Sequence, residues 1–182
     1  MDNVIFVNTK ENPSILKFVS KSKDKYNSEE LLITNVFVGR NGTTFSKREG
    51  DGKTPLGIFD IGIVLGTNER KKIKMDDSLQ YIKINENLHW IDDTNSKYYN
   101  QLVDITKVNI DWESSEHLID YCVQYEYAIE IKTNPKNIPG KGSAIFIHCS
   151  NGSSTAGCVA MEREKMIKLL EMIDKNTKII IK

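Results

Sequence analysis

No apolar run in this 182-residue chain approaches the roughly 20 residues that a membrane-spanning helix needs. The opening Met1-Asp2-Asn3-Val4-Ile5-Phe6-Val7 has no basic region and no long apolar core, so it does not read as a secretory leader. Neither charge sign is in excess. Lys plus Arg number 25 and Asp plus Glu 25, so no global field favours nucleic acid or an acidic membrane surface. Cysteine is scarce and odd in number: Cys122, Cys149 and Cys158. Three thiols cannot all pair within one chain, so at least one is free unless bridged to another molecule, and the pattern does not read as a disulfide scaffold. Internal repeats and low-complexity segments are also missing, which removes solenoids and linker arrays. What remains is an ordinary globular composition, 39% hydrophobic and 27% charged, of a length that suits one domain spanning residues 1–182.

The pattern along the chain is short β-type runs separated by turn residues. Strands are expected over 4–7, 15–19, 31–38, 57–62 and 81–84. A polar stretch rich in Gly, Lys, Asp and Thr, residues 40–55, reads as a loop. The clearest strand signal spans 121–132, where Val123, Tyr125, Tyr127, Ile129 and Ile131 alternate with Gln124, Glu126, Ala128 and Glu130. Another apolar strand, 143–148, ends in His148, and residues 179–181 form a short terminal strand. One helix is expected over 162–174. Met166, Ile167, Leu169, Leu170 and Ile173 share a face there, and Glu162 and Glu164 sit in its first turn. The chain is therefore mainly β with a minor helical part.

Chemistry concentrates in one stretch. A strand ends at His148, a small-residue loop follows, and Gly157-Cys158 arrives just ahead of the helix. A free thiol is only a few per cent ionised at neutral pH, so a nucleophilic cysteine needs a base, and an imidazole can take its proton to form an ion pair. The helix N-terminus would add modest support for the anion. Gly157 leaves the backbone uncrowded, so that the amides of Gly157 and Cys158 can face the oxygen of a tetrahedral intermediate. Cys149 follows His148 in a strand and should point to the opposite face as core. That argues against a zinc site built from His148, Cys149 and Cys158, which would also lack a fourth ligand. The Gly50–Thr54 loop lacks phosphate-loop spacing and a following helix, and reads as packing against the site. Glu116-His117 is ambiguous, with His117 read as surface.

These residues resemble the L,D-transpeptidase (YkuD) family. His148 followed by Ser154-Thr155-Ala156-Gly157-Cys158 is similar to the family's active-site signature. Glu49-Gly50-Asp51-Gly52-Lys53-Thr54-Pro55-Leu56-Gly57-Ile58-Phe59 resembles its E-G-D-G-K-T-P-x-G-x-F segment. The Val38–Gly42 lead-in, Trp90-Ile91-Asp92-Asp93 with Tyr99-Asn100, and Pro139–His148 fit as well. The resemblance implies a β-sandwich or barrel with few helices, one of them C-terminal to the cysteine. It implies a cysteine acyltransferase acting on peptidoglycan stem tetrapeptides, with Cys158 as nucleophile, His148 as general base and acid, and Gly157 at the oxyanion. Terminal D-alanine would leave, a thioester would form, and an amine of a second stem would resolve it into a 3-3 cross-link. With water as acceptor the enzyme would be an L,D-carboxypeptidase, and on a decayed scaffold the module would bind cell wall without catalysis. No metal, organic cofactor or nucleic acid is implied, and carbapenems are expected to acylate Cys158. The family works outside the membrane, in the cell wall.

Two positions depart from the pattern. Many members have a histidine where Ala156 stands and an Arg or Asn where Ala160 stands. The residue that meets the substrate carboxylate therefore does not carry over, and Arg40, Arg48, Lys141 and Arg163 are its candidates. Arg40, Trp90, Asp92, Tyr99, Asn100, Lys141, Ser154 and Thr155 form the candidate substrate-binding set, with Trp90, Asp92, Tyr99 and Asn100 equally readable as an ordinary packed hairpin.

Overall fold

A computed structural model describes residues 3–20 and 29–182. Fourteen strands follow in order: β1 Val4–Asn8, β2 Ser14–Val19, β3 Glu30–Val36, β4 Thr43–Thr44, β5 Thr54–Pro55, β6 Gly57–Gly66, β7 Tyr81–Lys83, β8 Leu88–Ile91, β9 Leu102–Asp104, β10 Ser115–His117, β11 Ala128–Ile131, β12 Phe146–Cys149, β13 Val159–Met161 and β14 Lys178–Ile181. The one α-helix among the described residues, α1, spans Arg163–Met172 between β13 and β14. The architecture is mainly β, as the sequence leads one to expect.

Nine strands form one sheet in the order β13-β12-β11-β6-β14-β1-β2-β3, with β7 added beside β6. Its two ends meet. Phe37, just past β3, exchanges both backbone hydrogen bonds with Ala160 of β13, each 2.8 Å. The sheet thus curls into a near-barrel whose seam runs beside Cys158. Alternation then sorts side chains onto two faces. Ile129 and Ile131 of β11, with Ile147 and Cys149 of β12, enter the main core, joined by Ile5, Leu16 and Phe18. Met166, Leu169 and Leu170 from α1, with Ile173 just past its end, pack on the same core. Each such burial stabilises the fold by about 1.5–3 kcal/mol, so the helix holds through its apolar stripe and not through its ends. Glu162 precedes it without a side-chain cap.

Ala128 and Phe146 point the other way, into a second core with Leu65, Ile84, Trp90, Leu118 and Tyr125. This core fills the space between the large sheet and the three-stranded sheet β10-β8-β9. Cys158 belongs to it, and Cys149 to the first, so the two thiols sit on opposite faces as the strand period requires.

The strand expected over 121–132 is corrected. Only Ala128–Ile131 is a strand, and two 3-10 turns, Leu118–Tyr121 and Gln124–Glu126, occupy the stretch before it. Tyr121 and Val123, apolar in the alternating pattern, are 44% and 56% exposed. The turns win because they bring Leu118 and Tyr125 together into the second core, a tertiary gain that overrides local β preference.

Candidate active site

β12 and β13 run parallel, with His148 opposite Ala160. Cys158 lies two residues before Ala160, so its side chain projects from the same face as His148. Both line a cleft of about 310 Å³. Arg40, Asp92, Ser154, Thr155 and Gly157 line it too.

His148 is 7% exposed, and its Nδ1 lies 2.8 Å from the carbonyl of Cys149. A carbonyl only accepts, so Nδ1 carries the proton and Nε2 keeps a free lone pair. Burial pushes the imidazole below its ordinary value, against the Cys149 carbonyl, which favours the charged ring. The ring packs edge-on against Tyr125 at 5.7 Å. Cys158 is 8% exposed. Its thiol donates to the carbonyl of Ala144 at 3.3 Å and accepts the amide of Phe146 at 3.4 Å. Burial pushes the thiol up to about 12, with the Glu116 carboxylate adding to the rise, while the Phe146 amide and the Lys47 ammonium oppose it. Burial thus acts against the charged form of both groups, and the thiol's own hydrogen bonds go to the Ala144 carbonyl and the Phe146 amide. The helix dipole adds nothing at the sulfur: β13 carries the chain roughly 10 Å onward before α1 begins.

The loop that carries Cys158 is braced by two threonines. Thr155 donates from Oγ1 to the Cys158 carbonyl (2.7 Å) and accepts the Gly157 amide at the same oxygen (3.1 Å). Thr54, fully buried, donates to the same carbonyl (3.3 Å) and accepts the Gly39 amide (2.8 Å). A side chain at Gly39 would put Cβ 2.5 Å from the Gly52 carbonyl oxygen, so this contact needs glycine. The polar 40–55 segment thus packs against the site and also supplies part of its lining, Arg40, Lys47 and Glu49. The Gly157 amide donates to Thr155 Oγ1 in this arrangement.

Trp90, Tyr99 and Asn100 do not line the cleft. Trp90 stacks edge-on against Phe146 at 4.9 Å. The Tyr99 hydroxyl donates to the Glu49 carboxylate, and Glu49 lines the cleft. Asn100 receives Trp90 Nε1 (3.1 Å) and the Ala144 amide (3.2 Å) at Oδ1, and its Nδ2 donates to the Asn134 carbonyl (3.1 Å) and Asn137 Oδ1 (3.0 Å). Through Ala144 it places the carbonyl that holds the Cys158 thiol. Lys141 lies in a second cleft of about 360 Å³. Arg163 is spent on a bidentate pair with Glu126, both bonds 2.7 Å.

Among the cleft residues that carried no functional reading in the sequence are Lys47, Glu116 and Tyr125. Tyr125 donates to Glu116, whose carboxyl is pushed up by burial, an effect the Tyr125 bond opposes and Asp92 reinforces. Lys47 pairs with Asp51, and both side chains are largely buried, 9% and 16% exposed. Among the described residues no three His, Cys, Asp or Glu converge to hold a metal ion, and no helix is long and apolar enough to cross a membrane.

A buried cysteine and histidine on one face of a closed β-sheet, at the floor of a polar cleft, define a candidate acyl-transfer site. The chain belongs to the YkuD family, whose model, the L,D-transpeptidase catalytic domain, matches residues 2–181. No curated protein matches it. Among solved structures it is similar to the helical cell shape determining protein Pgp2 from Campylobacter jejuni, with a TM-score of 0.52 and 16% identity, covering 100% of this chain and 48% of that one. It is also similar to L,D-transpeptidase 3 from Mycobacterium tuberculosis in complex with a faropenem-derived adduct, with a TM-score of 0.46 and 13% identity, covering 99% of this chain and 60% of that one. The chain thus spans about half the length of Pgp2, and the likeness is one of fold.

Proposed function

We propose that this protein is a cysteine acyltransferase acting on peptidoglycan stem tetrapeptides, outside the membrane where that polymer lies. The observation that carries the reading is the fixed tautomer of His148. Its Nδ1 proton is committed to the Cys149 carbonyl, which leaves Nε2 as a base on the face that bears Cys158. His148 takes the thiol proton as sulfur attacks the carbonyl carbon of the third stem residue. The carbonyl π pair moves to oxygen. When it returns, the C–N bond breaks, and the imidazolium gives its proton to the leaving D-alanine amine. A thioester remains on Cys158. An amine of a second stem then attacks it, His148 takes that amine's proton, and the thiol is restored. Both charge signs line the cleft, Arg40 and Lys47 against Glu49, Asp92 and Glu116, which suits a zwitterionic peptide. Water in place of the amine gives carboxypeptidase products.

Incubation with a disaccharide-tetrapeptide, read by mass spectrometry, tests this. Loss of D-alanine, with dimer or tripeptide product, is expected, and Cys158→Ala should abolish both. Meropenem should add to the wild-type mass and not to the variant. Turnover by Cys158→Ala, or an inert wild type, would sink the proposal.

A further inference from the structure

Lys47 comes from the middle of the polar loop, yet its ammonium lies at the nucleophile. A Cβ built on Gly157 would stand 3.1 Å from Lys47 Nζ, and one on Gly142 would stand 2.7 Å from Lys47 Cγ. Two glycines therefore clear the path for this side chain. Its charge is not loosely placed. Asp51 receives it at Oδ1, where the Lys53 amide also donates (2.9 Å), while the Arg48 amide donates to Oδ2 (3.0 Å). Burial pushes the Asp51 carboxyl up, but the Lys47 bond and these two amides outweigh it and hold the group below its ordinary value. The result is a rigid cation one residue from Cys158, in a site where one of the two expected amide donors is already engaged.

We propose that the Lys47 ammonium, fixed by Asp51, is the electrostatic partner of the oxyanion that forms when Cys158 attacks an acyl carbon. Sulfur forms its bond to carbon, the carbonyl π pair becomes the oxygen's charge, and Lys47 faces that charge before it collapses. A preorganised donor in a dry site stabilises developing charge without reorganising. The inference rests on Cys158 being an acylated nucleophile, but not on the identity of the acyl donor.

The other titratable groups acting on the thiol are Glu116 and Tyr125, and His148, Arg40, Glu49, Asp92 and Tyr121 line the same cleft. They stay constant in the test. Its probes are iodoacetamide, which alkylates sulfur without making an oxyanion, and p-nitrophenyl acetate, which makes one. Both are read at Cys158 by peptide mass mapping at about pH 8, far enough below the thiol's value for rate to follow thiolate fraction. Lys47→Met should slow alkylation about tenfold, the thiolate lost with one neighbouring charge. It should slow acylation by a further factor of about ten, the part that belongs to the oxyanion. Asp51→Asn should accelerate alkylation, since it removes a negative charge and leaves the ammonium. Lys47→Arg should retain most of both rates. Opposite signs for Lys47→Met and Asp51→Asn are the signature, because a merely structural ion pair would make both variants fall together. Equal losses in alkylation and acylation for Lys47→Met, or parallel losses for the two variants, would overturn the assignment. Should Lys47→Met not fold by circular dichroism, Asp51→Asn and Lys47→Arg decide on the same criteria. If the wild type accepts p-nitrophenyl acetate at Cys158 but leaves tetrapeptide untouched, the peptidoglycan reading fails and this one stands.

Discussion

Asn100→Ala is the sharpest probe of how the site is held. The Asn100 amide makes four hydrogen bonds, two accepted and two donated, which is its full capacity. The substitution strands the indole N–H of Trp90, a residue 3% exposed, and the amide of Ala144. An unsatisfied buried donor costs about 1–3 kcal/mol. Asn100 also adopts a left-handed backbone, φ 57°, where alanine is penalised by about 1–2 kcal/mol. Together these give a loss of about 3–6 kcal/mol, short of simple addition because the groups are neighbours. In a chain of this size about 2–4 °C of Tm accompanies each kcal/mol, so Tm should fall by roughly 10 °C. Asn100→Gly separates the contributions: it abolishes the same hydrogen bonds but tolerates the backbone, so it should recover about 1 kcal/mol over alanine. The assay is urea unfolding followed by tryptophan fluorescence, with acylation of Cys158 measured beside it. Ala144 is itself left-handed, φ 52°, and its carbonyl holds the thiol, so acylation should slow about ten- to a hundredfold. If both variants unfold within about 0.5 kcal/mol of wild type, the hydrogen-bond account of this site is refuted.

Two further outcomes follow from the same geometry. Thr54→Val keeps the shape and strands the Gly39 amide, while the Cys158 carbonyl retains Thr155, so stability should fall by about 1–3 kcal/mol in urea unfolding, and a change under about 0.5 kcal/mol would count against it. Alkali should destabilise the fold early: burial pushes Cys149 up to about 11 and Cys158 up to about 12, so above the unfolded thiol value of 9.0 the unfolded chain releases protons that the folded chain keeps, and stability falls as pH rises. Urea midpoints should therefore decline from about pH 8 to 9.5, and the double variant Cys149→Ala, Cys158→Ala should flatten that decline; an equal slope in the double variant would refute the assignment to these thiols.

Much of the fold was legible because most strands here keep one buried face. The alternation in β12 sends Ile147 and Cys149 inward, and the same period predicts that Cys149 turns away from His148. The helix was legible from Met166, Leu169, Leu170 and Ile173 alone. Residues 121–127 misled for a physical reason. A two-residue period marks a strand only if one set of side chains is buried on one face, and here Tyr121 and Val123 face solvent while Tyr125 and Tyr127 pack inward, into two different cores. In the site, His148 and Cys158 share a short stretch with a recognisable order, so their types and spacing were readable. Lys47, Glu116 and Tyr125 reach the cleft from distant segments, and no local pattern marks such an approach. Trp90, Tyr99 and Asn100 were read as substrate-binding, but they lie behind the cleft wall, where they contact Phe146, Glu49 and Ala144.

The departures at Ala156 and Ala160 acquire a structural meaning from this arrangement. Ala160 is 1% exposed, lies opposite His148 in β13, and exchanges backbone bonds with Phe37 where the sheet closes. A long charged side chain at that position would have to enter the cleft beside the imidazole, since alternation sends it to the same face as His148 and Cys158. Here that face carries only a methyl group, and the cleft draws its cations from the other side of the seam, Arg40 and Lys47, both in the loop between β3 and β5. The parallel pairing of β12 with β13 sets His148 and Cys158 in register, and the seam closes on the far edge of β13. The cleft around the thiol therefore carries both signs of charge, with its cations supplied by the loop and not by β13.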